Sequence, residues 1–155
     1  RFPFLKEYHG TVPIEYFDGN KPERENDESF LWKGYRKPVE LMKETSLGGF
    51  GLVWCDKENF DRYYSMNQPH KLGFHLSSGI PVVIREGCVH SDWIRGKGLG
   101  YVVESLDEAD KLIQNTSDHA YAEMVSNVAK VQTLLLNGIY TKKLLTDAVI
   151  KVMEQ

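Results

Sequence analysis

Long apolar runs are missing from these 155 residues, and with them the roughly 18-residue stretch that a membrane-spanning helix requires. No basic-then-apolar leader opens the chain either. Cysteine is scarce. Cys55 and Cys88 are the two, without metal-ligand spacing or a paired histidine motif, which argues against a zinc site. Both follow apolar runs and are expected to be buried free thiols of a soluble protein in a reducing cytoplasm. Excess charge is lacking too: 19 Lys and Arg against 22 Asp and Glu leave a net charge of −3. The basic residues are scattered, so neither nucleic acid nor an anionic membrane is an expected partner. Any anionic ligand must find a local site.

Several catalytic signatures are also absent. No G-x-G-x-x-G follows a strand and no G-x-x-x-x-G-K-[ST] occurs, which removes the defining marks of dinucleotide oxidoreductases and P-loop enzymes. Gly48-Gly49-Phe50-Gly51 precedes a strand and does not follow one, the wrong context for cradling phosphate. No serine-centred nucleophile elbow is found. A D-x-D type pair is missing, so no divalent cation and no other cofactor is implied.

What is present is ordinary for one globular domain, with 41% hydrophobic and 26% charged residues. The chain starts at Arg1 and runs at once into the amphipathic stretch Phe2 to Tyr8, the expected look of a piece cut from a longer polypeptide. Val12 to Phe17 and Phe30 to Lys33 are candidate strands, separated by a polar stretch from Asp18 to Ser29 that reads as an exposed loop. Pro38 to Lys43 predicts a short helix. Phe50 to Trp54 and Ile80 to Ile84 are apolar without alternation, as buried parallel strands are. Between them Pro69 to Leu76 predicts a helix opened by proline and stopped at Ser78-Gly79. A short helix from about Val89 to Gly96 and a strand from Leu99 to Val103 follow. Ser105 with Glu108 forms a capping-box signature for a helix from Leu106 to Ile113. Ser117 to Leu136 and Tyr140 to Met153 predict two last helices, which pack back across the domain or onto a partner. Alternating strands and helices define an α/β, doubly wound parallel sheet with extra C-terminal helices.

Ligands of such sheets bind at the carboxyl ends of the strands. The loops to inspect follow Lys33, Trp54, Ile84 and Val103. Asn67-Gln68-Pro69-His70-Lys71 opens a helix whose free N–H groups and dipole favour a phosphate, with Lys71 as counter-ion and Asn67 as amide donor. Equally, Asn67 is a helix cap and Lys71 a solvated charge. In the loop from Arg85 to Asp92, Glu86 can accept from sugar hydroxyls and His90 can donate to a phosphate or exchange a proton. Ser91 either contacts ligand or caps the helix. Lys33, Gly34 and Tyr35 suit a nucleoside, with a ring for stacking and a cation for phosphate, or make an ordinary turn. Asp56 faces the crevice if its strand is correctly placed, and Phe60, Tyr63 and Tyr64 read as loop packing.

Gly49-Phe50-Gly51-Leu52-Val53-Trp54, Asn67 to Leu72, Leu76 to Val83 and the ending Asn137 to Leu145 resemble one family. These are the GT-B-fold accessory glucosyltransferases of Gram-positive bacteria that extend glycans on serine-rich repeat adhesins, with related bacterial galactofuranosyltransferases. The resemblance runs from about Phe4 onward. It implies a Rossmann-like C-terminal domain holding a UDP-sugar, with UDP-glucose as the donor, uridine near Lys33 to Tyr35 and diphosphate near Asn67 and Lys71. It further implies metal-independent retaining transfer, homo-oligomers, and a glycan or glycoprotein acceptor bound by an amino-terminal domain outside residues 1–155. The first strand of the domain's own sheet would also lie upstream. Cys55-Asp56 stands where the group has Asp-Gly, which leaves the role of Asp56 open. A different class remains as the alternative: a non-catalytic interaction module that keeps the fold and partners another glycosyltransferase. A nucleotide-sugar epimerase fits poorly for want of a nicotinamide fingerprint.

Overall fold

The computed structural model describes residues 4–54, 66 and 69–154. In order they form α1 (Phe4–Glu7), β1 (Ile14–Tyr16), β2 (Phe30–Trp32), α2 (Pro38–Thr45), β3 (Gly51–Val53), α3 (His70–Ser77), β4 (Val82–Arg85), α4 (Ser91–Lys97), β5 (Gly100–Val103), α5 (Leu106–Gln114), α6 (Asp118–Leu136) and α7 (Ile139–Met153). Every pairing between these strands is parallel. The strands make two sheets rather than one, β1-β2 and β3-β4-β5.

The three-stranded sheet is covered on both faces, which explains its unbroken apolar runs. Val82 and Ile84 of β4 enter a core with Leu72 and Leu76 of α3, Ile94 of α4 and Val128 of α6. Val83 points the other way, to Trp54, Val103 and Ala109 of α5. Side chains alternate across a strand, so a fully buried strand must be apolar at every position. The sheet is drawn tight at Gly100, where a Cβ would lie 1.9 Å from the Val82 carbonyl oxygen. That approach, together with a φ of +146°, restricts the start of β5 to glycine.

Helix ends follow the capping signals with small shifts. Ser105 Oγ accepts from the Glu108 N–H at 3.1 Å, while the Glu108 carboxylate accepts from the N–H of Glu104, one residue before the cap. Ser117 Oγ caps α6 through Ala120 N–H. Pro69 precedes the first turn of α3 with extended backbone, instead of occupying it. Helix α4 begins at Ser91, two residues later than the pattern suggested, because Cys88 N–H bonds to Arg85 O and Ser91 N–H to Cys88 O in a preceding turn. It ends at Gly98, not Gly96, with the left-handed φ of +60° that glycine accepts most readily.

The segment from Asp18 to Ser29 is less loose than its composition implied. Arg24 turns inward, 9% exposed, donating to Tyr8 O at 2.6 Å, Ser29 Oγ at 2.5 Å and Asp27 at 2.7 Å. Its guanidinium also lies 5.0 Å from the Phe30 ring centre. These bonds hold Asp27 well below the usual carboxylate range, with Arg24 the leading cause. At the far end α7 packs along α6 and has no buried residue, leaving Leu144, Leu145, Val149 and Val152 exposed. No helix among the described residues is long and apolar enough to cross a membrane.

Candidate functional site

In the three-stranded sheet, parallel strands bring the ends of β3 and β4 together. Their last side chains meet: the Arg85 guanidinium sits 5.7 Å from the Trp54 ring centre. A cation held over an aromatic face at the carboxyl edge is a natural seat for a planar or anionic group. Neither residue is among the sequence-derived site residues, although one ends an apolar run and the other opens a loop at the same edge. The clue was their shared position at the ends of adjacent apolar runs.

Beyond Arg85 the loop is pre-bonded. Glu86 accepts from Arg95, which also reaches Asp92 at 3.2 Å, so its carboxylate is half-exposed and partnered. Ser91 is buried and donates inward to the Arg85 carbonyl at 3.4 Å; it neither caps α4 nor faces solvent. His90 takes the cap position, edge-on to Trp93 with ring centres 6.1 Å apart. Its Nε2 is buried without a hydrogen-bond partner, and burial lowers its pKa. The imidazole is therefore neutral at pH 7 and acts as a donor or acceptor, not as a cation. Burial raises the Cys88 thiol, which keeps this free cysteine protonated.

Helix α3 starts beside the same edge. Among the described residues no side chain caps it, and no acid occupies its first turn, so its N–H groups and dipole are not offset from within the helix. Lys71 is exposed in that first turn. One turn on, His75 has a buried Nδ1 with no hydrogen-bond partner. Burial, then the nearby Lys71 charge, push its pKa down to about 4. Asn67, Asp56, Phe60, Tyr63 and Tyr64 lie outside the described residues.

Lys33, Gly34 and Tyr35 stand elsewhere, at the end of the two-stranded sheet. Lys33 Nζ pairs with Glu15 at 3.3 Å, Gly34 adopts a φ of +73°, and Tyr35 is 66% exposed. Arg36 holds this turn, donating to Lys33 O at 2.8 Å and to Glu44 at 2.7 Å. An exposed tyrosine on a braced turn is available for stacking.

A cavity of about 730 Å³ lies away from the β4 loop. It runs between β1 and β3, walled by α2, α3 and α5, and of the sequence-derived site residues that are described only Lys71 lines it. We take the strand ends as the ligand site because polar groups converge there, whereas the cavity is mostly apolar.

The parallel sheet, covered on both faces and with its polar loops at one edge, defines a doubly wound α/β domain of the ligand-binding kind. Residues 1–148 match the model of the "Glucosyltransferase 3-like, C-terminal domain" family, and the chain belongs to that family. It is 37% identical over 158 residues to Glucosyltransferase 3 of Streptococcus gordonii, covering 99% of this chain and 46% of that protein. Glucosyltransferase 3 of Streptococcus parasanguinis is 34% identical over 153 residues, again covering 99% and 46%. Beta-1,6-galactofuranosyltransferase WbbI of Escherichia coli K12 is 26% identical over 107 residues, 64% of this chain and 32% of that one. The chain thus spans about half the length of the curated relatives it matches first.

Proposed function

We propose that residues 1–155 are the donor-binding domain of a UDP-sugar-dependent hexosyltransferase, with UDP-glucose as donor and a glycan or glycoprotein as acceptor. The observation that carries this reading is that the start of α3 bearing Lys71, the Arg85–Trp54 pair and the neutral His90 all fall at the carboxyl edge of one parallel sheet. The family membership makes a nucleotide sugar the phosphorylated ligand this edge would take. The diphosphate lies against the α3 N–H groups and Lys71, with Asn67 beside it, and the base stacks near Tyr35. Glu86 reads sugar hydroxyls once Arg95 shares it. Lys71 and the helix dipole supply the positive charge for the leaving diphosphate without a metal. The acceptor is held by a further domain of the same cytoplasmic polypeptide, and the exposed apolar residues of α7 suit self-association.

The α7 surface also fits the alternative, a non-catalytic module that partners another transferase. Hydrolysis of UDP-glucose by the full-length protein separates the two. Slow release of UDP and glucose supports the transferase reading. UDP-glucose left intact, with a second transferase activated on mixing, would replace it.

A further inference from the structure

We propose that helix α6 sets the ligand edge from behind, with Gln132 a positioning residue for the start of α3 and Asn127 its counterpart for α4; the consequence for ligand rests on the donor site proposed above. Helices α3 and α4 end alike, at the sheet edge opposite that site. Each closes on a left-handed glycine, Gly79 with a φ of +84° and Gly98 with one of +60°. The bonds that finish the two helices also match. In α3, Ile80 N–H donates to His75 O at 3.3 Å and Gly79 N–H to Leu76 O at 3.2 Å. In α4, Leu99 N–H donates to Ile94 O at 3.1 Å and Gly98 N–H to Arg95 O at 3.2 Å. Such turns leave a carbonyl over at each end, and α6 takes both. Gln132 Nε2 donates to Ser77 O at 2.8 Å, and Asn127 Nδ2 makes the longer bond, to Gly98 O at 3.4 Å.

The spacing along α6 places these amides. Met124, Val128 and Val131 form its buried stripe, and Leu135 packs against the same core. At ~100° per residue, Asn127 and Gln132 fall on opposite flanks of that stripe, so one reaches α4 and the other α3. The approach is close: a Cβ on Gly79 or on Gly98 would lie 3.0 Å from the amide nitrogen above it. Lys130 Nζ donates to Asn127 Oδ1 at 3.0 Å, which keeps the amide turned with its N–H groups toward Gly98.

What these bonds control is position along the helix axis. Leu72, Leu76 and Ile94 are buried in one core, but apolar burial is non-directional and tolerates sliding. A hydrogen bond is directional and holds one axial setting. Residues 71 to 77 span about 9 Å, and residues 90 to 98 about 12 Å, at ~1.5 Å per residue. Helices that short move as rods. The setting made at the rear therefore arrives at Lys71 on one helix and at His90 on the other.

Full-length Gln132→Met tests this, since it keeps the length of the side chain and removes the donor. UDP affinity is expected to fall about three- to tenfold, measured where the variant is fully folded so that lost stability does not enter. Gln132→Lys, which restores a donor to Ser77 O at the negative end of the helix, should bind within about twofold of wild type. Amide exchange supplies a readout free of ligand. Leu72 N–H, at the front of α3 on Pro69 O at 3.0 Å, marks the far end of the rod. In Gln132→Met it should accelerate together with Phe74 to Ser78, by about three- to tenfold, while Val82 to Arg85 stay unchanged. Where wild type binds UDP, unchanged affinity in Gln132→Met, or no recovery in Gln132→Lys, would overturn the proposal. So would acceleration confined to residues 76–80, which marks a local fray. If wild-type protein binds no UDP, the donor reading falls and exchange at Leu72 alone decides the coupling. If Gln132→Met does not fold, Asn127→Ala is read in the same way at residues 91–98.

Discussion

The two sheets of this domain differ in how they are held. The three-stranded sheet is sealed by helices on both faces, and Val82, Val83 and Ile84 are at most 1% exposed. The two-stranded sheet buries one side chain fully, Phe30, and depends on polar ties: Arg24 beneath it, and Asp110 of α5, which accepts from Val12 N–H at 2.7 Å and the Tyr8 hydroxyl at 3.0 Å. Apolar burial is additive and non-directional, whereas polar ties act through a few specific groups. One sheet is thus a core and the other is moored to it. The ligand groups divide along the same line, Arg85, His90 and Lys71 beside the core, and Lys33 to Tyr35 on the moored part.

The largest expected effect breaks the core. Ile84→Ala should cost about 2–5 kcal/mol of global stability in urea unfolding of the full-length protein, because it leaves a cavity between two packed layers. Phe30→Ala should instead accelerate amide exchange in β1 and β2 while β4 stays protected. Equal acceleration in both sheets would erase the distinction.

Acid is next. The His75 pKa of about 4 lies below its ordinary 6.5, so the unfolded chain binds the extra proton between those values. Stability from this group is full above pH 6.5 and falls as pH drops toward 4, by at most about 3 kcal/mol at ~1.36 kcal/mol per unit. His90 shifts in the same direction. Urea midpoints of wild type and His75→Leu at pH 7 and 4.5 isolate the first group, the variant losing less on acidification.

Cutting the mooring should be milder. Burial opposes ionisation of Asp110, yet bonds from Val12 and Tyr8 keep its pKa below the ordinary value. Asp110→Ala strands two polar groups at a cost of about 1–3 kcal/mol. Exchange should rise in residues 8–16 and remain unchanged in β4. Smallest of all, Ser105→Ala removes the α5 cap for about 1 kcal/mol, read from the urea midpoint.

Much of the core was legible because burial on both faces leaves a direct mark on composition. The runs Phe50 to Trp54 and Ile80 to Ile84 hold the strands Gly51–Val53 and Val82–Arg85, whose ends shift by at most two residues. Ser105 and Ser117 mark helix starts because a side-chain oxygen three residues ahead of a free N–H is a local arrangement. What depends on distant partners was not visible. Arg24 sat in a polar stretch, and only the fold brings Tyr8 and Phe30 around it. The split into two sheets is likewise a matter of pairing, on which apolar runs are silent. At the ligand edge, Lys71 and His90 were found through their places at helix starts, while Arg85 and Trp54 needed the parallel register to meet.

The most direct test of the donor site is calorimetry of UDP binding to the full-length protein and to Lys71→Ala. Saturable binding to the wild type is expected, weakened about 10- to 100-fold in the variant by loss of one charge-assisted contact. No heat with wild-type protein, or equal affinity for both, would contradict a diphosphate seated at the start of α3.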